Sequence, residues 1–128
     1  MQLSETLKTQ TTSTVPKSIV SFADIPQNAS FIGTVRVMAT LASPGSAGGA
    51  TGDTYSEELA VKGKVVAGVV TLVSTVSVSP SPDASQALLQ FNAGALAGSG
   101  FSYRCADLGN TTPGVNNWTI VLDIDFDD

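Results

Sequence analysis

The chain has no histidine. Histidine is the commonest general acid–base and the commonest metal ligand, so serine–histidine hydrolysis and imidazole-based metal centres are excluded. The single cysteine, Cys105, cannot close an internal disulfide and has no second thiolate or imidazole with which to hold zinc. It sits in Phe101-Ser102-Tyr103-Arg104-Cys105-Ala106, which reads as a short strand. A buried, inert thiol is expected there, with an intermolecular disulfide or a reactive thiol as the alternative. Charge is scarce, at 13% of residues, and the six basic residues are scattered. With a net charge of −5 and a pI near 4.3, the surface is a poor match for nucleic acid, which needs clustered Lys and Arg. Aromatics make up 6%, too few to stack a sugar substrate along a cleft. No apolar run approaches membrane-spanning length; the longest, residues 65–70, is far too short. Residues 1–7 lack the basic and apolar regions of a secretory signal, so synthesis in a cytoplasm is expected.

Strand patterning fills the space left by these absences. Trp118, Ile120, Leu122, Ile124 and Phe126 alternate with Thr119, Val121, Asp123, Asp125 and Asp127. Side chains on a strand point alternately to opposite faces, so one face is apolar and the other turns acidic. The same alternation marks residues 31–42, where Phe31, Val35, Val37, Ala39 and Leu41 share a face. The opposite face, with Ile32, Arg36 and Met38, carries enough apolar surface that partial cover is expected on both sides. Tyr55, Glu57, Leu59 and Val61 line one side of a further strand, and Ala67-Gly68 turns the chain into a β-branched strand over residues 69–79. Shorter strands are expected at 18–23, 87–91 and 101–106. Residues 43–53 and 107–117 are the polar, Gly-containing loops.

These signals predict one all-β domain, a β-sandwich or jelly roll of about seven to eight mainly antiparallel strands over residues 17–128. Residues 1–16, rich in Thr and Gln and closed by Pro16, are expected to form an extended N-terminal arm that reaches a neighbouring subunit.

No constellation of catalytic residues is present, and no cofactor motif. Gly45-Ser46-Ala47-Gly48 has no histidine to activate its serine, and Gly63-Lys64-Val65 lacks the glycines and hydroxyl of a phosphate loop. Glu57 and Glu58 are adjacent, so they point to opposite faces and cannot act on one glycosidic bond. Asp123, Asp125 and Asp127 are the candidate calcium ligands, because alternate residues on one strand lie about 6.5–7 Å apart. A second loop would have to complete that shell. The competing expectation is a solvated acidic edge that discourages aggregation.

The order Gly52-Asp53-Thr54-Tyr55, an aliphatic hairpin over residues 59–73 with a Gly turn, a Ser/Pro/Asp break at 79–83 and a closing strand Trp118-Thr119-Ile120-Val121-Leu122 resembles the small β-sandwich modules of tailed-phage virion proteins. Such modules occur in tail fibres and in capsid cement or decoration proteins. The resemblance implies a structural protein without an active site, acting as a homo-oligomer, in these families typically a trimer. A Met start, a short polar arm and one domain look more like a cement protein than a fibre. That reading places the protein on the outer surface of a phage head, with the major capsid protein as partner and neither nucleic acid nor membrane involved. Its expected contact residues are Leu3, Leu7, Thr11, Thr12, Val15 and Pro16 in the arm, with Gly48 and Gly49 in the first loop. The alternatives are a receptor-binding tail module using loops 43–53 and 107–117, and a calcium-dependent carbohydrate-binding or adhesion module using the aspartate face.

Overall fold

Strand β3 (Ala29–Ser43) organises the molecule because both of its edges are paired: β9 (Val115–Phe126) lies on one side and β4 (Thr54–Val66) on the other, each antiparallel. A computed structural model describes residues 1–12, 17–20, 24–45, 49–77, 81–82, 89–92, 102–107 and 114–128. Outward from β3, strand β1 (Gln2–Thr11) adds to β9, and β5 (Val69–Ser77) adds to β4. The two-residue β6 (Ser81–Pro82) also pairs with β4, completing a six-stranded sheet. A second sheet runs β2 (Lys17–Val20), β8 (Ser102–Asp107), β7 (Leu89–Asn92). Every pairing is antiparallel, and the described residues contain no helix.

The all-β class is therefore as the alternation predicts. The division into a sandwich or jelly roll involves side chains outside the described residues, and so does the expectation for the Cys105 thiol. Two strands exceed the expected set. One is β6, inside the Ser/Pro break. The other is β1, where an arm was expected.

Period-two burial runs through the large sheet. Asn116, Trp118, Ile120, Leu122, Ile124 and Phe126 of β9 are all buried, as are Phe31, Val35, Val37, Ala39 and Leu41 of β3. Tyr55, Leu59, Val61 and Val65 continue this face on β4, and Leu3 continues it on β1. Fully burying one such aliphatic side chain contributes about 1.5–3 kcal/mol, so among the described residues this one face supplies the main drive to fold. β9 lies between β1 and β3. This corrects the expectation of an acidic edge: a strand whose apolar face is unbroken belongs inside a sheet, and the polar β1 takes the edge. Two register shifts bend the sheet, between Leu41 and Ser43 on β3 and between Lys62 and Gly63 on β4.

The β4–β5 hairpin turns through Ala67 and Gly68, with φ of 49° and 79°. Two positive φ values in a two-residue loop define the turn whose twist matches the strands, and Asn-Gly is its preferred sequence. The loop is held from below: the Ala67 N–H donates to Asn28 Oδ1 at 3.1 Å and the Gly68 N–H to the Gln27 carbonyl at 3.0 Å. Alanine is strained at this φ, whereas asparagine tolerates it. Ala67→Asn is thus expected to stabilise the protein by about 0.5–1 kcal/mol, read as a higher thermal midpoint. An unchanged or lower midpoint counts against this account of the turn.

Candidate functional site

Of the residues expected to face a partner, Leu3 and Thr11 are buried instead, at 5% and 3% exposure. The reason is register. β1 pairs with β9 over its whole length, from Gln2↔Asp125 to Thr11↔Asn116, which sets Leu3 beside Ile124 and Thr11 beside Asn116 on the inner face. Leu7, opposite Ile120, is half-buried against the same cluster. Thr11 also has a specific role: its Oγ1 accepts the Trp118 indole N–H at 2.8 Å, deep in the core. Thr12 is exposed. Residues 2–11 are extended as strand β1, and the edge of β1 facing β9 is occupied within the chain. Val15 and Pro16 lie outside the described residues.

In the first loop, Gly49 is exposed and Gly48 lies outside the described residues. The returning limb is tied down. Leu41 N–H donates to the Asp53 carbonyl and Gly52 N–H to the Leu41 carbonyl, both at 2.8 Å. The Asp53 carboxylate accepts the Ala50 N–H at 3.0 Å, closing a tight turn over residues 50–53. On the second loop, β9 begins at Val115, earlier than the alternation predicts, so Asn116 belongs to the core and not to a contact tip.

The three candidate calcium ligands share the outer face of β9 but do not converge. Asp123 Oδ1 accepts from Gln2 Nε2 at 2.9 Å. Asp127 Oδ1 accepts the Ser30 N–H at 2.7 Å. Asp128, one residue on, takes the Met1 ammonium at 2.6 Å. Among the described residues no three acidic, Cys or His side chains are grouped as a cation would require.

Glu57 and Glu58 do point to opposite faces. Glu57 accepts a short hydrogen bond from the Tyr55 hydroxyl on the inner face. Burial first, and then that hydrogen bond and the Glu57 charge, push the Tyr55 phenol well above its ordinary range. It stays neutral and acts as a donor. Its ring packs on Trp118 with centroids 6.0 Å apart at 58°, so the pair is a core contact.

What alternation does not reveal is which residues of neighbouring strands share the outer face of the sheet. Ile32 is 64% exposed at the middle strand, with Met38 exposed on the same face. Around them lie three open depressions of about 310, 330 and 550 Å³. The first is lined by Arg36, Met38, Glu58 and Val121, and the other two flank Ile32. Each is shallow and shared between neighbouring strands. Such hollows suit the side chains of an opposing surface better than a small substrate, which is usually held in a deeper cleft. No helix among the described residues is long and apolar enough to cross a membrane.

No protein-family model matches the chain, and no curated protein is similar to it in sequence. Its fold is similar to part of a solved structure, the tailspike protein of Acinetobacter phage vB_ApiP_P1. The TM-score is 0.54 at 17% identity, and the match covers 94% of this chain but 22% of the tailspike. The likeness is one of fold. The chain spans about a fifth of the length of that protein.

Proposed function

We propose that the chain is a non-enzymatic structural module of a phage particle, and that it works in the tail. The observation carrying this reading is the fold likeness, which takes in nearly the whole chain and a fraction of a tailspike. The matched region is about a fifth of that tailspike, so a part of a tail protein is the place that the likeness favours. The composition is in keeping: there is no histidine, and the hollows on the sheet are open rather than enclosed.

Capsid cement is the second reading. It rests on a polar N-terminal stretch, residues 1–16, that would reach a neighbouring subunit. Pairing of residues 2–11 within their own sheet removes much of that support, while the exposed outer face still suits a protein that lies on a shell. Gold-labelled antibody on particles from the genome that encodes the chain separates the two. Label at the tail, together with reduced adsorption when purified protein is added first, is the expected result. Label on the head transfers the function to cement, and particles that carry no label remove both.

A further inference from the structure

The outer face of the large sheet carries opposite charges on its two flanks. Ile32 on β3 is in register with Lys62 on β4 and with Asp125 on β9. One row further along, Ser30 is in register with Lys64 on β4, and its N–H reaches Asp127 beyond the end of β9. At these two rows the β4 side is basic and the β9 side acidic; further along the same face β4 carries Glu58 beside Arg36, and Asp123 of β9 stands across Thr34 from the uncharged Ala60. Neighbouring strands stand about 4.8 Å apart, so Lys62 and Asp125 are separated by roughly 10 Å across Ile32. At that distance, on an exposed face, salt largely screens them from each other.

We propose that this face binds a second copy of the chain, face to face, about a two-fold axis that runs along β3. Such an axis exchanges left and right while keeping height. Lys62 of each copy then meets Asp125 of the other, and Lys64 meets Asp127. An isologous contact needs a surface complementary to itself, and this charge layout meets that condition. A partner of a single charge sign would oppose one flank or the other. Ile32 falls at the axis, with depressions of about 330 and 550 Å³ on either side of it, so a small offset seats each isoleucine beside its mate. Met38 lies near the axis as well. Arg36 does too, but its cross-strand neighbour Glu58 accompanies it and offsets the like charge. Two sheets stacked in this way sit about 10 Å apart, with their strands within about 30° of each other. The contact does not depend on a place in a phage tail.

Charge reversal with exchange tests it. Lys62 and Asp125 are exposed, and neither is placed in the core or in a turn. Sedimentation of the intact 13.0 kDa chain is expected to show a species of twice that mass, or an even multiple of it. Lys62→Glu alone and Asp125→Lys alone each set two like-charge pairs across the axis and weaken association by about tenfold or more. An equimolar mixture of the two variants restores it, because every reversed residue then meets an opposite charge. Far-UV circular dichroism confirms that each variant is folded. A monomeric wild type, the three-chain assembly that the resemblance implies, an assembly that neither variant weakens, or a mixture no stronger than its components overturns the proposal.

Discussion

Replacing Gly33 with alanine is expected to lower the unfolding midpoint by roughly 10 °C, corresponding to about 3 kcal/mol for a domain of this size. Composition argues the other way. Glycine in a strand gives up more chain entropy than alanine and packs nothing, so with open space the change would stabilise by about 0.5–1 kcal/mol. The space at Gly33 is closed. A Cβ there would lie 2.2 Å from the Asp123 carbonyl oxygen, 2.7 Å from Ile124 Cα and 2.9 Å from Ile124 Cδ1. The first two are backbone atoms, which cannot swing aside as a side-chain tip can. Relief requires β9 to move away from β3, and the two strands are paired from Phe31↔Phe126 to Ser43↔Val115. That seam holds Val35, Val37, Ile120, Leu122 and Ile124, among the most deeply buried side chains of the sheet. Thermal unfolding followed by circular dichroism decides the sign. A midpoint equal to or above that of the wild type would mean that the strands do not approach this closely. Gly33→Val, with a larger side chain at the same point, is expected to lower the midpoint further.

The strands were legible wherever one face is buried and the other wet. β3, β4 and β9 each write their position into a period of two, and the structure places their apolar faces together. Order within the sheet was not legible, because alternation reports which face is buried and carries nothing about which strand lies alongside. The consequence is visible in β9. Its acidic outer face has the composition of a sheet edge, yet the strand runs between two partners. It is visible again in β1, whose Thr and Gln content is that of an unstructured segment. Leu3 and Leu7 on its inner face, with ten residues of backbone pairing to β9, are enough to make it a strand. The candidate site was less legible still. Loop composition pointed to Gly48 and Gly49. The exposed face around Ile32 emerges from the registers Ile32↔Lys62 and Ile32↔Asp125, which join residues far apart in the chain. The apolar content of that face was visible as an expectation of cover, and within a single chain Ile32 and Met38 remain exposed.

Trp118→Ala is expected to cost about 3–5 kcal/mol, because it empties the space of a large, fully buried side chain. It would also strip Tyr55 of its ring partner. A loss on this scale can approach the whole stability of a small domain, so the sharper measurement is at Thr11. If Thr11 faced a partner, Thr11→Val would leave the isolated chain as stable as before and weaken assembly. With its Oγ1 accepting the Trp118 indole N–H in the core, the same change keeps the shape, removes the acceptor and leaves a buried donor unmet. That costs about 1–3 kcal/mol. The cost should vanish in a Trp118→Phe background, where no donor remains. The two changes are therefore expected to be non-additive by roughly 1–2 kcal/mol in a denaturant-unfolding cycle. Additive effects would disconnect the two residues and return Thr11 to the surface. Coupling would show that the first strand is pinned by a hydrogen bond spanning 107 residues of sequence. Any partner that pairs with β1 must then use its outer edge, with the inner edge and inner face already committed to the chain's own core.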